Sequence, residues 1–174
     1  LDALHDHFLP CLNEVHPNGY REGYPGRRQM PLVFAAMATK YVSSWDAMQE
    51  PYILGIPAHY RARYRPDRQM MRGTSKYNTA QTEWLFRQPM WHDSLSVAMT
   101  ALAIAVHEPT AASTRDDWIY LFTADPYAPA ATLANLSGTD LIYRDAGSAV
   151  YGRTGWTIST ASTDIMVALF GGWE

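Results

Sequence analysis

Residues 140–170 read DLIYRDAGSAVYGRTGWTISTASTDIMVALF and mark a change in the pattern of the chain. Three short runs in this stretch are rich in β-branched, aromatic and apolar residues: Asp140–Arg144, Ser148–Arg153 and Asp164–Phe170. Glycine, aspartate, serine and threonine separate them, which is typical of short β-strands. We expect Gly152-Arg-Thr-Gly155 to form a hairpin turn. The C-terminal part of the chain is therefore predicted to form a sheet.

The region before these runs is predicted to be helical. Apolar residues recur at helical spacing from Leu95 to Val106, directly after N-cap candidates at Asp93 and Ser94. Weaker patterns predict helices over Leu4–Val15, from Pro31 to about Gln49 with Pro51 as the stop, over Ala58–Arg65 and over Asp116–Thr123. Helices followed by strands, without alternation, indicate two layers or two domains.

The composition excludes several classes of protein. The chain has 174 residues, of which 47% are hydrophobic and 13% aromatic, so it is not intrinsically disordered. Its 18% of charged residues is below the roughly 25% of an average domain. The single cysteine, Cys11, excludes an intrachain disulfide, and we expect it to be a small buried side chain. The apolar stretch Val97–Val106 is too short to span a bilayer, so no membrane segment is expected.

The charge is unevenly distributed. Residues 61–76 carry six cations and one acid, a net charge of +5, so the rest of the chain must carry −8 to give the overall −3. A basic segment in an acidic chain favours a specific anionic ligand over general affinity for nucleic acid. The alternative is a solvated face with internal ion pairs. The cations are Arg61, Arg63, Arg65, Arg68, Arg72 and Lys76, opposed only by Asp67.

Three stretches of the chain resemble one known family. They are DAGSAVYGRTGW at 145–156 followed by IMVALFGG at 165–172, RPDRQMMRGTSKY at 65–77, and PNGYREGY at 17–24. They resemble, in that order, the first sandwich strands, the turn with the catalytic tyrosine and the loop with the neutralising Asn or His of the heparinase II/III-like polysaccharide lyases. One residue departs from the family pattern, because Arg68 stands where the family has glycine.

The resemblance implies an α+β chain in two parts. Residues 1–137 would form a portion of an (α/α) toroid, and residues 138–174 the first strands of an antiparallel β-sandwich. The partners expected are an anionic polysaccharide and the rest of the same protein: toroid helices before Leu1, and a sandwich after Glu174 that carries the family's histidine motif. Neither nucleic acid nor a membrane is expected as a partner. The resemblance also implies a secreted or periplasmic protein with no required cofactor, while leaving room for a structural divalent metal in the remaining sandwich.

The reaction of such lyases is β-elimination next to a uronate carboxylate. A proton leaves C5 and the glycosidic oxygen leaves C4, so the enzyme must stabilise the enolate-like charge with donors or cations. It must also supply a base and an acid. A tyrosine serves as both when its pKa, ordinarily about 10, is lowered by nearby cations. Tyr77 follows Lys76 directly and lies five residues after Arg72.

The resemblance and this chemistry together nominate the site residues. Tyr77 would be base and acid, with Tyr60 and Tyr64 as fallback candidates, and Asn18 or His16 would neutralise the substrate carboxylate. The expected substrate-binding residues are Glu22, Tyr20, Arg68, Arg72, Trp91 and His92.

Two other functions remain open from the sequence. The first is a noncatalytic protein that binds an anionic glycan, for which the basic segment alone would be sufficient. The second is an (α/α)-barrel glycoside hydrolase, which would need two carboxylates flanking the scissile bond. Asp116 and Asp117 are the only candidate pair we identify, and their place in the first turn of a predicted helix explains them as well.

Overall fold

The computed structural model describes residues 1–15, 25–67, 88–106, 127, 141–144, 149–157, 159 and 161–170. In order, these form a π-helical turn Ala3–Phe8, α1 Leu9–Val15, α2 Pro25–Val42, a 3₁₀ turn Ala47–Gln49, α3 Pro51–Arg63, a 3₁₀ turn Gln88–Trp91, α4 Ser94–Val106, and strands β1 Leu141–Arg144, β2 Ala149–Arg153 and β3 Met166–Phe170. The part of the chain described contains no helix both long enough and apolar enough to cross a membrane.

The main core lies among the helices. Tyr52, Ile53 and Ile56 place one face of α3 at its centre, and all three side chains are fully buried. Alanine, leucine and methionine are strong helix formers and supply much of α2. The other buried members are Leu9, Met30, Leu32, Val33, Ala36, Ala47, Met48, Tyr60, Tyr64, Met90 and Met99. The core therefore draws on α1, α2, α3, α4 and both 3₁₀ turns, while the π-helical turn contributes no buried residue.

Helix α1 is joined to the start of α3 through one side chain. The Oδ1 atom of Asn13 accepts a hydrogen bond from the backbone N–H of Tyr52 at 2.9 Å, and its Nδ2 donates to Glu50 at 2.6 Å. The other carboxylate oxygen of Glu50 accepts from the Trp45 indole at 3.0 Å. Glu50 is the N-cap of α3 but does not cap the helix with its own side chain. Asn13 therefore caps α3 from a different helix.

A proline inside α3 is compensated from outside the helix. Pro57 has no N–H, so the carbonyl of Ile53, four residues earlier, has no donor within α3. The indole Nε1 of Trp91 donates to that carbonyl oxygen at 2.9 Å. Trp91 also packs against the main core. The 3₁₀ turn at 88–91 is thus tied to the middle of α3.

The start of α4 has the cap that its sequence predicts. Oδ1 of Asp93 accepts from the backbone N–H groups of Leu95 and Ser96 at 3.1 and 3.0 Å, and Oδ2 accepts from the Ser96 hydroxyl. The preceding residue, His92, has φ of 49°. A non-glycine residue in this left-handed region is held there by its surroundings, which here are the 3₁₀ turn Gln88–Trp91 before it and the capped start of α4 after it.

The three strands form an antiparallel sheet in the order β1–β2–β3. Tyr143 pairs with Tyr151 across β1 and β2, and Tyr151 pairs with Ala168 across β2 and β3. One face of the sheet contacts α3, where Ala62 and Tyr151 are buried and Met166 and Ala168 pack against them. This contact joins the sheet to the C-terminal end of α3.

The other face of β3 is apolar and exposed. Val167 and Leu169, together with Ile165 just before the strand, are all more than half exposed. Alternate residues of a strand point to opposite faces, so these three share one face. A second layer would normally cover such a face, as in the expected sandwich. The (α/α) toroid and the complete sandwich remain predictions.

Several local predictions need correction. Pro51 does not stop a helix: it is the first residue of α3, where the missing N–H costs nothing, and α3 begins seven residues before the predicted Ala58. Helix α2 begins at Pro25 rather than Pro31 and ends at Val42. Gly152-Arg-Thr-Gly155 is not a turn, because Gly152 and Arg153 belong to β2. Cys11 is exposed, not buried. The predicted helix Asp116–Thr123 lies outside the described residues.

Candidate functional site

The basic segment begins at the C-terminal end of α3. Arg61 and Arg63 occupy the last turn of the helix, where cations interact favourably with the helix dipole. Tyr64 then takes an extended backbone conformation, with φ of −75° and ψ of 119°, and Arg65 follows. The chain therefore leaves the helix at the point where it contacts the sheet.

Two arginines of this segment have acidic neighbours. Nη1 of Arg61 lies 3.9 Å from Oδ1 of Asp93, which connects the end of α3 to the start of α4. Arg65 pairs with Asp67 through a close contact between Nη2 and Oδ2. Part of the basic segment thus forms internal ion pairs, as expected if the segment is a solvated charged face rather than a ligand site. Both Arg65 and Asp67 are more than one-third exposed, so their pair contributes little to stability.

His59 lies buried one turn before the end of α3. Its side chain is 2% exposed, and its Nε2 is 3.3 Å from Nη1 of Arg63. Burial, and then the charge of Arg63, hold the pKa of His59 well below its ordinary value of 6.5. The ring is therefore neutral, and Nε2 accepts the hydrogen bond from Arg63. The ring also packs edge-on against Tyr60 and Tyr151, which extends the contact between α3 and β2.

Arg153 is a buried cation at this junction. It is only 4% exposed, and it lies on the same face of β2 as Tyr151, two residues earlier. Its Nη2 donates to the backbone carbonyl of Tyr64 and lies 3.4 Å from the sulfur of Met166. The guanidinium carbon is 3.7 Å from the centre of the Trp156 ring, a cation–π contact. Arg153 of the sheet thus fixes the position of Tyr64, the residue after which the basic segment continues.

Burial lowers the pKa of Arg153 to about 10, and the charge of Asp164 opposes this shift. Arg153 therefore stays protonated at neutral pH. Asp164 is engaged elsewhere, because its Oδ2 accepts from the backbone N–H of Thr157 at 2.7 Å. A Cβ at Gly155 would lie 2.8 Å from the Asp164 carboxylate oxygens, so any larger residue there would have to displace this carboxylate. Among the described residues, no carboxylate forms an ion pair with Arg153.

The arrangement can hold an anion at the junction of α3 and β2. Its three arginines, Arg61, Arg63 and Arg153, outnumber the two nearby acids, Asp93 and Asp164, and guanidinium groups suit carboxylate and sulfate oxygens. Within the described ranges, no cluster of histidine, cysteine and acidic residues could hold a metal ion.

Two of the nine predicted site residues lie in the described structure. The indole of Trp91 turns into the core and donates to Ile53, whereas the adjacent His92 is exposed on a left-handed backbone. Their roles in substrate binding remain predictions. The other seven lie outside the described residues: Tyr77, Asn18, His16, Glu22, Tyr20, Arg68 and Arg72. The fallback tyrosines Tyr60 and Tyr64 are fully buried members of the core.

Sequence reasoning missed His59 and Arg153. Arg153 ends the predicted strand Ser148–Arg153 but also falls in the predicted turn Gly152-Arg-Thr-Gly155, and the turn gave it no inward-facing role. Strand alternation from Tyr151 would have placed Arg153 on the inward face. His59 gave no signal of its own, since a lone histidine in a helix has no motif around it.

Comparison with known proteins identifies no relative. No protein-family model matches the chain, and no match is found among curated proteins or solved structures.

Proposed function

We propose that this chain forms part of a lyase that cleaves a uronate-containing anionic polysaccharide, a glycosaminoglycan or alginate, by β-elimination. The observation that carries the proposal is the cationic junction of α3 and β2. Arg61 and Arg63 end α3, and Arg153 of β2 bonds to the Tyr64 carbonyl that follows them, directly before the segment that resembles the catalytic turn of heparinase II/III-like lyases. An anionic substrate would be attracted to this end of the helical core.

The contact between Arg153 and Tyr64 supports the assignment of Tyr77. Tyr77 follows Tyr64 by thirteen residues, and the carbonyl of Tyr64 is held by the buried guanidinium of the strand. A catalytic group must be positioned by a rigid support, because small displacements cost much of the rate. The buried junction would provide that support at the start of the segment.

The proposed chemistry distributes three tasks among the predicted residues. Asn18 or His16 would donate to the substrate carboxylate and stabilise the charge that develops when C5 loses its proton. Tyr77, as tyrosinate, would accept that proton and then return one to the leaving oxygen at C4. Arg72 and Lys76 would lower the pKa of Tyr77 toward the working pH. Arg68 would pair with carboxylate or sulfate groups of neighbouring sugars.

One assay with two readouts tests the proposal against its alternatives. The full-length protein is incubated with alginate and, separately, with a sulfated glycosaminoglycan, while ultraviolet absorbance and reducing ends are followed together. A lyase produces the unsaturated uronate chromophore and reducing ends in equal amounts. Reducing ends without the chromophore would establish hydrolysis and refute the lyase. Saturable binding without either product would support the noncatalytic alternative.

A further inference from the structure

A buried donor of Arg153 finds no acceptor among the described residues. Its Nη1 atom is covered from solvent and makes no hydrogen bond within this part of the chain, although the residue as a whole is 4% exposed. Buried polar groups in native proteins are nearly always hydrogen-bonded, so an unpaired charged donor needs a specific explanation. Leaving such a donor unmatched is costly, because the charge has lost its contact with water.

None of the described direct contacts of the guanidinium is with a charged group. The Tyr64 carbonyl and the Met166 sulfur are neutral, and the Trp156 ring offers only its π-face. The carboxylate of Asp164 acts on Arg153 at longer range and is already bonded to Thr157. These contacts fix the plane of the guanidinium group while leaving Nη1 without a partner.

We propose that the junction of α3 and β2 binds one oxyanion, a carboxylate or sulfate group, through Nη1 of Arg153. An oxyanion matches both the positive charge and the N–H groups of this atom. Since Nη2 already bonds to Tyr64, the contact is made through one nitrogen rather than as a bidentate fork. The stacked Trp156 ring holds the donor in place before the anion arrives. This goes beyond the proposed lyase, because it requires no elimination reaction.

The oxyanion has two sources, a free inorganic anion or a charged group on a glycan. Nη1 is covered, so the groups above it must move before an anion reaches it. Association should therefore be slower than the diffusion-limited encounter of a small anion with an exposed site. Binding at one site nonetheless saturates as the sulfate concentration rises. The general stabilising effect of sulfate on folded proteins does not saturate in this way.

The test is a thermal unfolding titration of the full chain with sodium sulfate, compared with sodium chloride at equal ionic strength. For wild type, a sulfate concentration of about ten times Kd raises Tm by roughly 3–6 °C through binding, above a linear background. Arg153→Gln should lose the saturable rise in Tm and keep the linear background. Lys40→Gln, which removes an exposed cation from α2, keeps both.

A second variant covers the outcome in which Arg153→Gln does not fold. Arg153→Lys keeps the charge but lacks the planar donor group, and its Kd for sulfate is at least about tenfold weaker. A parallel titration uses a uronate tetrasaccharide. Saturation by both ligands identifies a site that accepts free anions, and saturation by the tetrasaccharide alone identifies a glycan subsite. No saturable response in wild type, or an unchanged response after Arg153→Gln, overturns the proposal. A failed lyase assay does not affect it.

Discussion

The pairing of Pro57 with Trp91 gives a prediction that combines two substitutions. Trp91→Phe removes the indole N–H that donates to the Ile53 carbonyl, and Pro57 prevents α3 from supplying a donor of its own. In Pro57→Ala, the N–H of residue 57 reaches that carbonyl within the helix. Trp91→Phe should therefore destabilise the native chain strongly, and the Pro57→Ala background much less.

The magnitude follows from the hydrogen bond alone. An unsatisfied buried carbonyl costs about 1–3 kcal/mol. The smaller phenyl ring also loses packing against the core, but that loss occurs in both backgrounds and cancels in the double-mutant cycle. The coupling energy between the two substitutions should therefore be about 1–3 kcal/mol.

Urea unfolding of the wild type, both single variants and the double variant measures this coupling. Each curve is followed by far-ultraviolet circular dichroism, and the free energies of unfolding are compared at equal m-values. Independent substitutions are additive to within about 0.5 kcal/mol. Additivity in this cycle would refute the assignment of Trp91 as the donor that replaces the missing N–H of Pro57.

Two further predictions concern the helical core. Asn13→Ala should lower the free energy of unfolding by about 0.5–2 kcal/mol because α3 loses its cap, whereas the exposed neighbour Glu14→Ala should change it by less than about 0.5 kcal/mol in the same urea assay. Equal effects would argue against the cap. Unfolding should take up a proton at His59 below pH of about 6.5, because the unfolded chain is protonated there while the folded pKa is lower. Wild type should therefore lose up to about 1.4 kcal/mol more per pH unit than His59→Gln as pH falls from 6.5 toward the folded pKa, and parallel pH profiles would contradict a buried neutral His59.

The sequence predicted the elements that carry strong local signals. The three strands are bounded by turn residues, and α4 follows an aspartate whose side chain caps it, so both were placed correctly. The start of α3 was not placed correctly. Proline is compatible both with the end of a preceding helix and with the first turn of the next, and Pro51 was assigned the first role. Choosing between these meanings requires knowing that Asn13 caps α3 from another helix.

The junction of α3 and β2 depended on contacts distant in sequence. Arg153 and Tyr64 are 89 residues apart, and nothing near either residue predicts that a carbonyl of one binds the guanidinium of the other. Arginine is rarely fully buried, so its ordinary expectation is a surface position. The basic character of the segment was visible in the sequence, whereas the partners of its first arginines emerged only with the fold.

The central claim concerns Tyr77 and is tested most directly by Tyr77→Phe in the full-length protein. Tyr41→Phe, at an exposed position on α2, is the matched control. Because the substitution removes both the base and the acid, formation of the unsaturated uronate should fall by a factor of about 10²–10⁴, while Tyr41→Phe retains the wild-type rate. Formation of the chromophore by Tyr77→Phe at the wild-type rate would contradict the account.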